Sequence, residues 1–272
     1  MSNKEIVLME DKHVKDNASV IKKTRVKVYV EGTDECVFEG SNKVIVSGSA
    51  FTAAKHFNIT PKVTTPSYNI LLNLDNTVNE PFDSEGIRRE EIVYLFAVGT
   101  DGCGIENSQV YDVDYTTPIL PENLIPFRYQ LETADLNNEL RKKYFGKKTL
   151  AGQQRIAYYF KAFETEPVFN QIYADGTSID ENVFTTNRTE EVESYVELKL
   201  NISKNDVRDY FIATTGIDDA RINSVSLLTA YKSQIDGYTY FQNIRPLTKI
   251  NFPNESLIDP TKGLDIIYQI YY

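Results

Sequence analysis

A chain of 272 residues, 41% hydrophobic and 25% charged, has the composition of a globular protein and is long enough to bury a large core. Its net charge of −10, with no basic run longer than Arg141-Lys142-Lys143, argues against nucleic acid as the main partner, because counterion release needs a concentrated basic footprint. An acidic membrane surface is disfavoured on the same ground, and no stretch approaches the ~20 apolar residues of a membrane span. Cys36 and Cys103 are too few for a disulfide framework, or for a zinc site without histidine, and read as reduced, half-buried thiols.

Residues 1–22 are polar, lack the apolar core of a signal peptide, and read as an extended arm on a protein made in a cytoplasm. From residue 23 to 272 the pattern is that of one β-rich domain, and the 18 tyrosines and 14 phenylalanines suit pleated surfaces. "TRVKVYVEG" places Val26, Val28 and Val30 on one face of a strand. "CVFEGSNKVIVSGSA" reads as a hairpin turning at Glu39-Gly40-Ser41-Asn42, followed by a short helix "AFTAAKHF" capped by Ser49. "PSYNILLNL" and "IVYLFAVG" are buried-strand candidates, the second central because it is almost continuously apolar. "QVYDVDY" and "FRYQLE" follow as strands, joined by a link stiffened by Pro118, Pro121 and Pro126.

"DLNNELRKKYFG" predicts a helix capped by Asp135, with Leu136, Leu140 and Tyr144 on one face and Gly146 at its stop. "RIAYYFKAFE" reads as a strand, and Asp175-Gly176 as a turn. In "EVESYVELKLNI", Val192, Val196, Leu198, Leu200 and Ile202 alternate with acids, a lysine and an amide, the mark of a half-buried strand. It runs into "SKNDVRDYF", where Ser203 and Asp206 have capping-box spacing. "RINSVSLLTAY" and "LDIIYQIYY" are the last strands, and the bulk on both faces of the latter requires a sheet neighbour or a partner on each side. The fold class is therefore mainly β, an antiparallel β-sandwich-like body with a few short helices in the connections, allowing an insertion at about 131–190.

Chemistry-bearing patterns are sparse. The two histidines, His13 and His56, have no nucleophile signature beside them, and "VSGSA" is a turn, not a nucleophile elbow. "GTDGCG" is followed by a strand where a dinucleotide site needs a helix, so its glycines are expected to supply positive φ in a tight crossing. Asp101, Asp112 and Asp114 lack the spacing of a calcium loop. No catalytic residue, metal or cofactor is assigned. The interface candidates are Arg128 and Arg155, each beside aromatics, and the tyrosine-rich strands with Tyr158, Tyr159, Tyr268, Tyr271 and Tyr272.

Several segments resemble virion structural proteins of tailed bacteriophages. "EGSNKVIVSGSAFTAAKHF" is similar to the "(H/K)-N-x-I-x-x-x-G" start and small helix of such proteins, with Lys43 standing after Asn42. "YLFAVGTDGCG" looks like the strand-turn that follows it, and "INSVSLLTAY" with "KINFPNESLIDPTKGLDIIYQIYY" resembles their closing strands. The resemblance implies a β-rich neck, tail or baseplate subunit, located in the virion and binding neighbouring virion proteins as a homo-oligomer. The alternative is a carbohydrate- or receptor-binding β domain at a tail tip, which predicts a cleft of tyrosines and acids. A small-ligand enzyme would instead show a pocket carboxylate of raised pKa.

Overall fold

The alternation of "TRVKVYVEG" is realised in strand β1 (Lys23–Val30), whose Val26 and Val28 are fully buried between charged neighbours that face outward. The computed structural model describes residues 23–41, 43–44, 48–49, 51–52, 66–75, 91–106, 109–112, 117–173, 176–179, 192–216, 218, 220–235, 237–256 and 262–272. The arm expected at residues 1–22 lies outside them, as do His56 and most of the "AFTAAKHF" helix. After β1 come β2 (Cys36–Gly40), β3 (Lys43–Val44), helix α1 (Tyr68–Leu71), β4 (Glu91–Gly99), β5 (Cys103–Glu106), β6 (Gln109–Asp112), β7 (Leu124–Ile125) and β8 (Arg128–Leu131). The second half supplies β9 (Tyr144–Leu150), β10 (Arg155–Ala162), β11 (Val168–Tyr173), β12 (Val192–Ile202), helix α2 (Arg208–Thr214), β13 (Arg221–Ile235), β14 (Tyr238–Ser256) and β15 (Leu264–Tyr271).

These strands form a mainly β, sandwich-like fold of two antiparallel sheets with a small β5–β6 ribbon. The first sheet has the order β11-β12-β15-β1-β2, so the aromatic C-terminal strand is covered on both edges, by β1 and β12. The second has the order β3-β14-β13-β4-β10-β8, with β7 beside β4 and β9 beside β10. Segment 131–173 thus contributes strands to both sheets.

Inward residues of the two sheets meet in one core: Val28, Leu200, Ile266 and Tyr268 from the first, Phe96, Val98, Val225 and Phe252 from the second. Burial of such apolar surface is the main force holding the layers together. Tyr268 is fully buried, and its hydroxyl is 2.7 Å from that of Thr248, which satisfies both groups. A second cluster lies on the opposite face of β4, where Leu95 and Ala97 pack with Tyr68, Leu72 and Leu74. Strand β4 is therefore central and buried on both faces, which explains its unbroken apolar run.

Five local expectations fail. "PSYNILLNL" is not a strand but carries α1, because the side-chain amide of Asn69 occupies β14 instead: it donates to the Phe241 carbonyl at 3.2 Å and accepts from the Ile244 N–H at 2.8 Å. The hairpin over residues 36–47 is absent, since β2 pairs with β1 and β3 with β14, so the chain crosses there from one sheet to the other. "DLNNELRKKYFG" makes only a 3₁₀ turn at Leu140–Lys142, because Tyr144 and Phe145 are drawn into β9 and the Asp135 carboxylate is committed elsewhere. In "GTDGCG", Gly102 has no positive φ; it is required because a Cβ there would overlap the Asn223 carbonyl oxygen. Cys36 is exposed, not half-buried, and the Cys103 side chain lies outside the described residues.

Gly146, read as a helix stop, sits within β9 at φ +70° with its α-carbon against the Phe160 ring. Gly146→Ala adds both left-handed strain and overlap, and is expected to cost on the order of 3 kcal/mol in urea unfolding, with little change in slope.

Candidate functional site

Strand β10 carries Lys161 into the interior, where 1% of the residue is exposed. Its Nζ donates to the Asn201 main-chain oxygen at 2.7 Å, to Asn201 Oδ1 at 3.2 Å and to Asp206 Oδ2 at 2.9 Å. Asp206 is equally buried, accepting at Oδ1 from the Tyr144 hydroxyl at 2.6 Å and at Oδ2 from the Ser203 N–H at 3.0 Å. The Ser203–Asp206 spacing thus delivers the reciprocal half of a capping box, while the helix begins later, at Arg208, without a side-chain cap. Burying two charges is costly unless geometry and added hydrogen bonds compensate, and here the three lysine protons and both carboxylate oxygens have partners. The turn is strained: Val207, fully buried, has φ 58°, rare for a β-branched residue, and its N–H donates to Phe127 O at 2.9 Å. Burial and Asp206 together raise the Tyr144 pKa.

A second buried lysine, Lys249 on β14, lies 3.0 Å from Asp101 Oδ2, off the direction of a good hydrogen bond, and Asp101 Oδ1 accepts from the Ser224 hydroxyl at 3.0 Å. Asp101 is therefore a partner for a core cation. Among the described residues, no group of three His, Cys, Asp or Glu could hold a metal ion.

Among the described residues, a cleft of about 120 Å³ opens between β9 and the start of β14, lined by Asp75, Arg141, Lys147, Tyr158, Tyr238 and Tyr240 among others. Asp135 organises one wall. It accepts from the Tyr158 hydroxyl at 2.6 Å, from Arg141 Nη2 at 2.7 Å, from Lys147 Nζ at 3.0 Å and from the Leu136 N–H at 2.7 Å. Arg141 also lies 5.9 Å from the Tyr238 ring centre, while its Nε is buried without a hydrogen-bond partner. Asp75 is fastened to β9: its N–H donates to the Lys147 carbonyl at 2.8 Å and its carboxylate accepts from the Thr149 hydroxyl at 2.5 Å.

The residues singled out from sequence disperse around these features. Arg128 leans on the Tyr144 ring at 5.5 Å and donates to Asn205 O at 3.3 Å, at the margin of the buried pair. Arg155 lies 5.5 Å from the Tyr129 ring. Tyr158 is buried against Asp135, and Tyr159 is half-buried, its pKa pushed up to about 12 by burial and by the nearby Tyr210 and Tyr129. Tyr268 belongs to the core, Tyr271 packs its ring at a tilt against that of Tyr195 with centres 5.0 Å apart, and Tyr272 is exposed. Lys161 and Asn201 are not among the expected site residues and Asp206 is expected only as a capping-box acid, although Lys161 is the lone charge between Arg155 and Glu164 in an apolar run, which is a usable signal.

Comparison of the chain with protein-family models, with curated proteins and with solved structures finds no match. The fold and the two polar clusters define a mainly β, sandwich-like protein whose interior is tied together by buried charge pairs.

Burial alone would raise the Asp135 pKa, but the hydrogen bonds from Tyr158, Lys147 and the Leu136 N–H, with the Lys147 charge, hold it at about 2. The folded value lies below the ordinary value of about 3.9, so this group contributes stability above about pH 4 and loses it as pH falls toward about 2. Asp135→Asn should flatten that part of the stability–pH curve, by on the order of 1 kcal/mol once solvent screening is allowed for. Urea midpoints measured across this range check it.

Proposed function

We propose that this protein is a non-enzymatic structural subunit of a tailed-phage particle, in its neck, tail or baseplate, made in the host cytoplasm and acting through protein–protein contacts in a multi-copy assembly. The observation that carries this reading is the outer edge of the first sheet. Strand β11 is terminal there, with Val168 and Phe169 53% and 62% exposed. Its far end is closed by residues 176–179, through Tyr173 N–H to Thr177 O at 2.9 Å and Ile179 N–H to Gln171 O at 3.1 Å. That leaves 168–170 as the open portion among the described residues, with Phe169 the position whose main chain faces outward, in alternation with Gln171 and Tyr173. An unpaired strand edge bearing apolar side chains is a template for another chain. The principal buried ionic groups, meanwhile, are committed to one another within the core.

A second reading has its own support. The cleft presents Tyr238 and Tyr240 beside Asp75 and Arg141, the mixture of aromatic faces and polar groups that suits a carbohydrate. It predicts glycan binding by the monomer. The carboxyl group that organises the cleft wall has a lowered pKa, opposite to the raised value expected of a catalytic acid.

Light scattering over a concentration range should show reversible oligomers of the wild type, and labelling should place the protein at the neck, tail or baseplate of particles. Phe169→Lys, at an exposed site, should weaken the oligomer at least tenfold in dissociation constant while leaving the thermal midpoint unchanged. A persistent monomer, absent from particles and binding glycans through Tyr238, would favour the second reading.

A further inference from the structure

We propose that Lys161 and Asn201 become joined by an amide bond in the folded protein, with Asp206 as the proton carrier. The two residues come from different sheets, Lys161 from β10 and Asn201 from β12, so the bond would staple one sheet to the other. Lys161 Nζ lies 3.2 Å from Asn201 Oδ1, which places the carboxamide carbon one bond beyond a contacting atom. A desolvated lysine is a nucleophile once its proton has an acceptor, and Asp206 Oδ2, at 2.9 Å, is that acceptor. The carboxylate is itself fixed by Tyr144 and Ser203.

The carboxamide is oriented for the reaction. Its Nδ2 donates to Glu31 Oε1 at 3.0 Å and to Asp265 Oδ1 at 2.8 Å, which points the oxygen at the lysine and the nitrogen at two carboxylates. The partner strands enforce this, because Asn201 and Asp265 are directly opposite in the β12–β15 ladder and Glu31 follows β1. Holding nucleophile, electrophile and proton acceptor in one rigid site converts a very slow amide exchange into an intramolecular one.

The step balances without a co-reactant. Lys161 passes a proton to Asp206, and the neutral amine attacks Asn201 Cγ to form the new C–N bond. The old Cγ–Nδ2 bond then breaks as the departing nitrogen takes the proton from Asp206 and the second proton of the former ammonium. The products are a secondary amide and an ammonium ion, with the Asp206 carboxylate restored. Glu31 and Asp265 are placed to receive the leaving cation. Lys249 faces a carboxylate, Asp101, so a bond there would release water instead.

The inference is independent of the assembly role. It is tested by the intact mass of the purified, folded full chain, measured after denaturation, followed by proteolytic mapping. The expected result is a mass one ammonia below that of the sequence, carried by a branched peptide pair containing Lys161 and Asn201. Lys161→Arg and Asp206→Asn should both show their full sequence masses. Asn201→Asp, if it links, should give the same product as the wild type, by loss of water. A wild-type chain at full sequence mass overturns the proposal. So does an ammonia deficit confined to a linear peptide with Asn201, which is a succinimide, or a water deficit mapping to Lys249 and Asp101.

Discussion

Before the proposed bond to Asn201 forms, Lys161 carries a positive charge into the space between two β-sheets, and the molecule is arranged so that this charge is never alone. Its partner Asp206 lies just beyond β12, on the turn into α2, so their 2.9 Å contact ties the second sheet to the first. Removing two charges from water costs several kcal/mol per ion, which their attraction offsets only where every remaining donor and acceptor is used. That condition explains the surroundings: Tyr144 directly opposite Lys161 in the β9–β10 ladder, the Ser203 N–H on the carboxylate, and two oxygens of Asn201 on the ammonium. It also accounts for backbone strain at Val207, which turns the chain so that Asp206 points inward while the valine fills the core.

The other features follow from this joint. Arg128, on the Tyr144 ring, and Phe127, whose carbonyl accepts from Val207, connect β8 and its preceding link to the same turn. Asn201 extends the network to Glu31 and Asp265 and so fastens β1 and β15. On the second sheet, β9 and β10 carry Tyr158 out to Asp135, so one end of the strand pair serves the buried joint and the other the wall of the open cleft.

Strands with strict alternation are legible in the sequence: β1 and β15 show the burial that their apolar positions dictate, β12 does so from Leu198 to Ile202 while Val196 is half-buried and Val192 exposed, and β4 is central as its unbroken run required. What escaped was decided by distant partners. Asn69 is an ordinary polar residue locally, yet it completes β14 and fixes α1 against the second sheet. The spacing of Leu136, Leu140 and Tyr144 suited a helix, but the aromatic positions Tyr144 and Phe145 gain more by joining β10 in the sheet. The pieces at 36–40 and 43–44 have the composition of a hairpin and belong to different sheets. Of the residues expected at a contact surface, Arg128 and Tyr158 lie beside the polar clusters, whereas the joint itself depends on pairing across 45 residues of sequence that no local pattern encodes.

The most direct test of this account is a double-mutant cycle by equilibrium unfolding with Lys161→Met, Asp206→Leu and the pair together, all built on and compared with Asn201→Ala, in which no bond to Lys161 can form. Each single change leaves a buried charge without its partner and should cost about 3–5 kcal/mol, whereas the double variant should cost far less than the sum. Additive losses, or single variants as stable as the Asn201→Ala reference, would show that the two sheets are not held together through this pair.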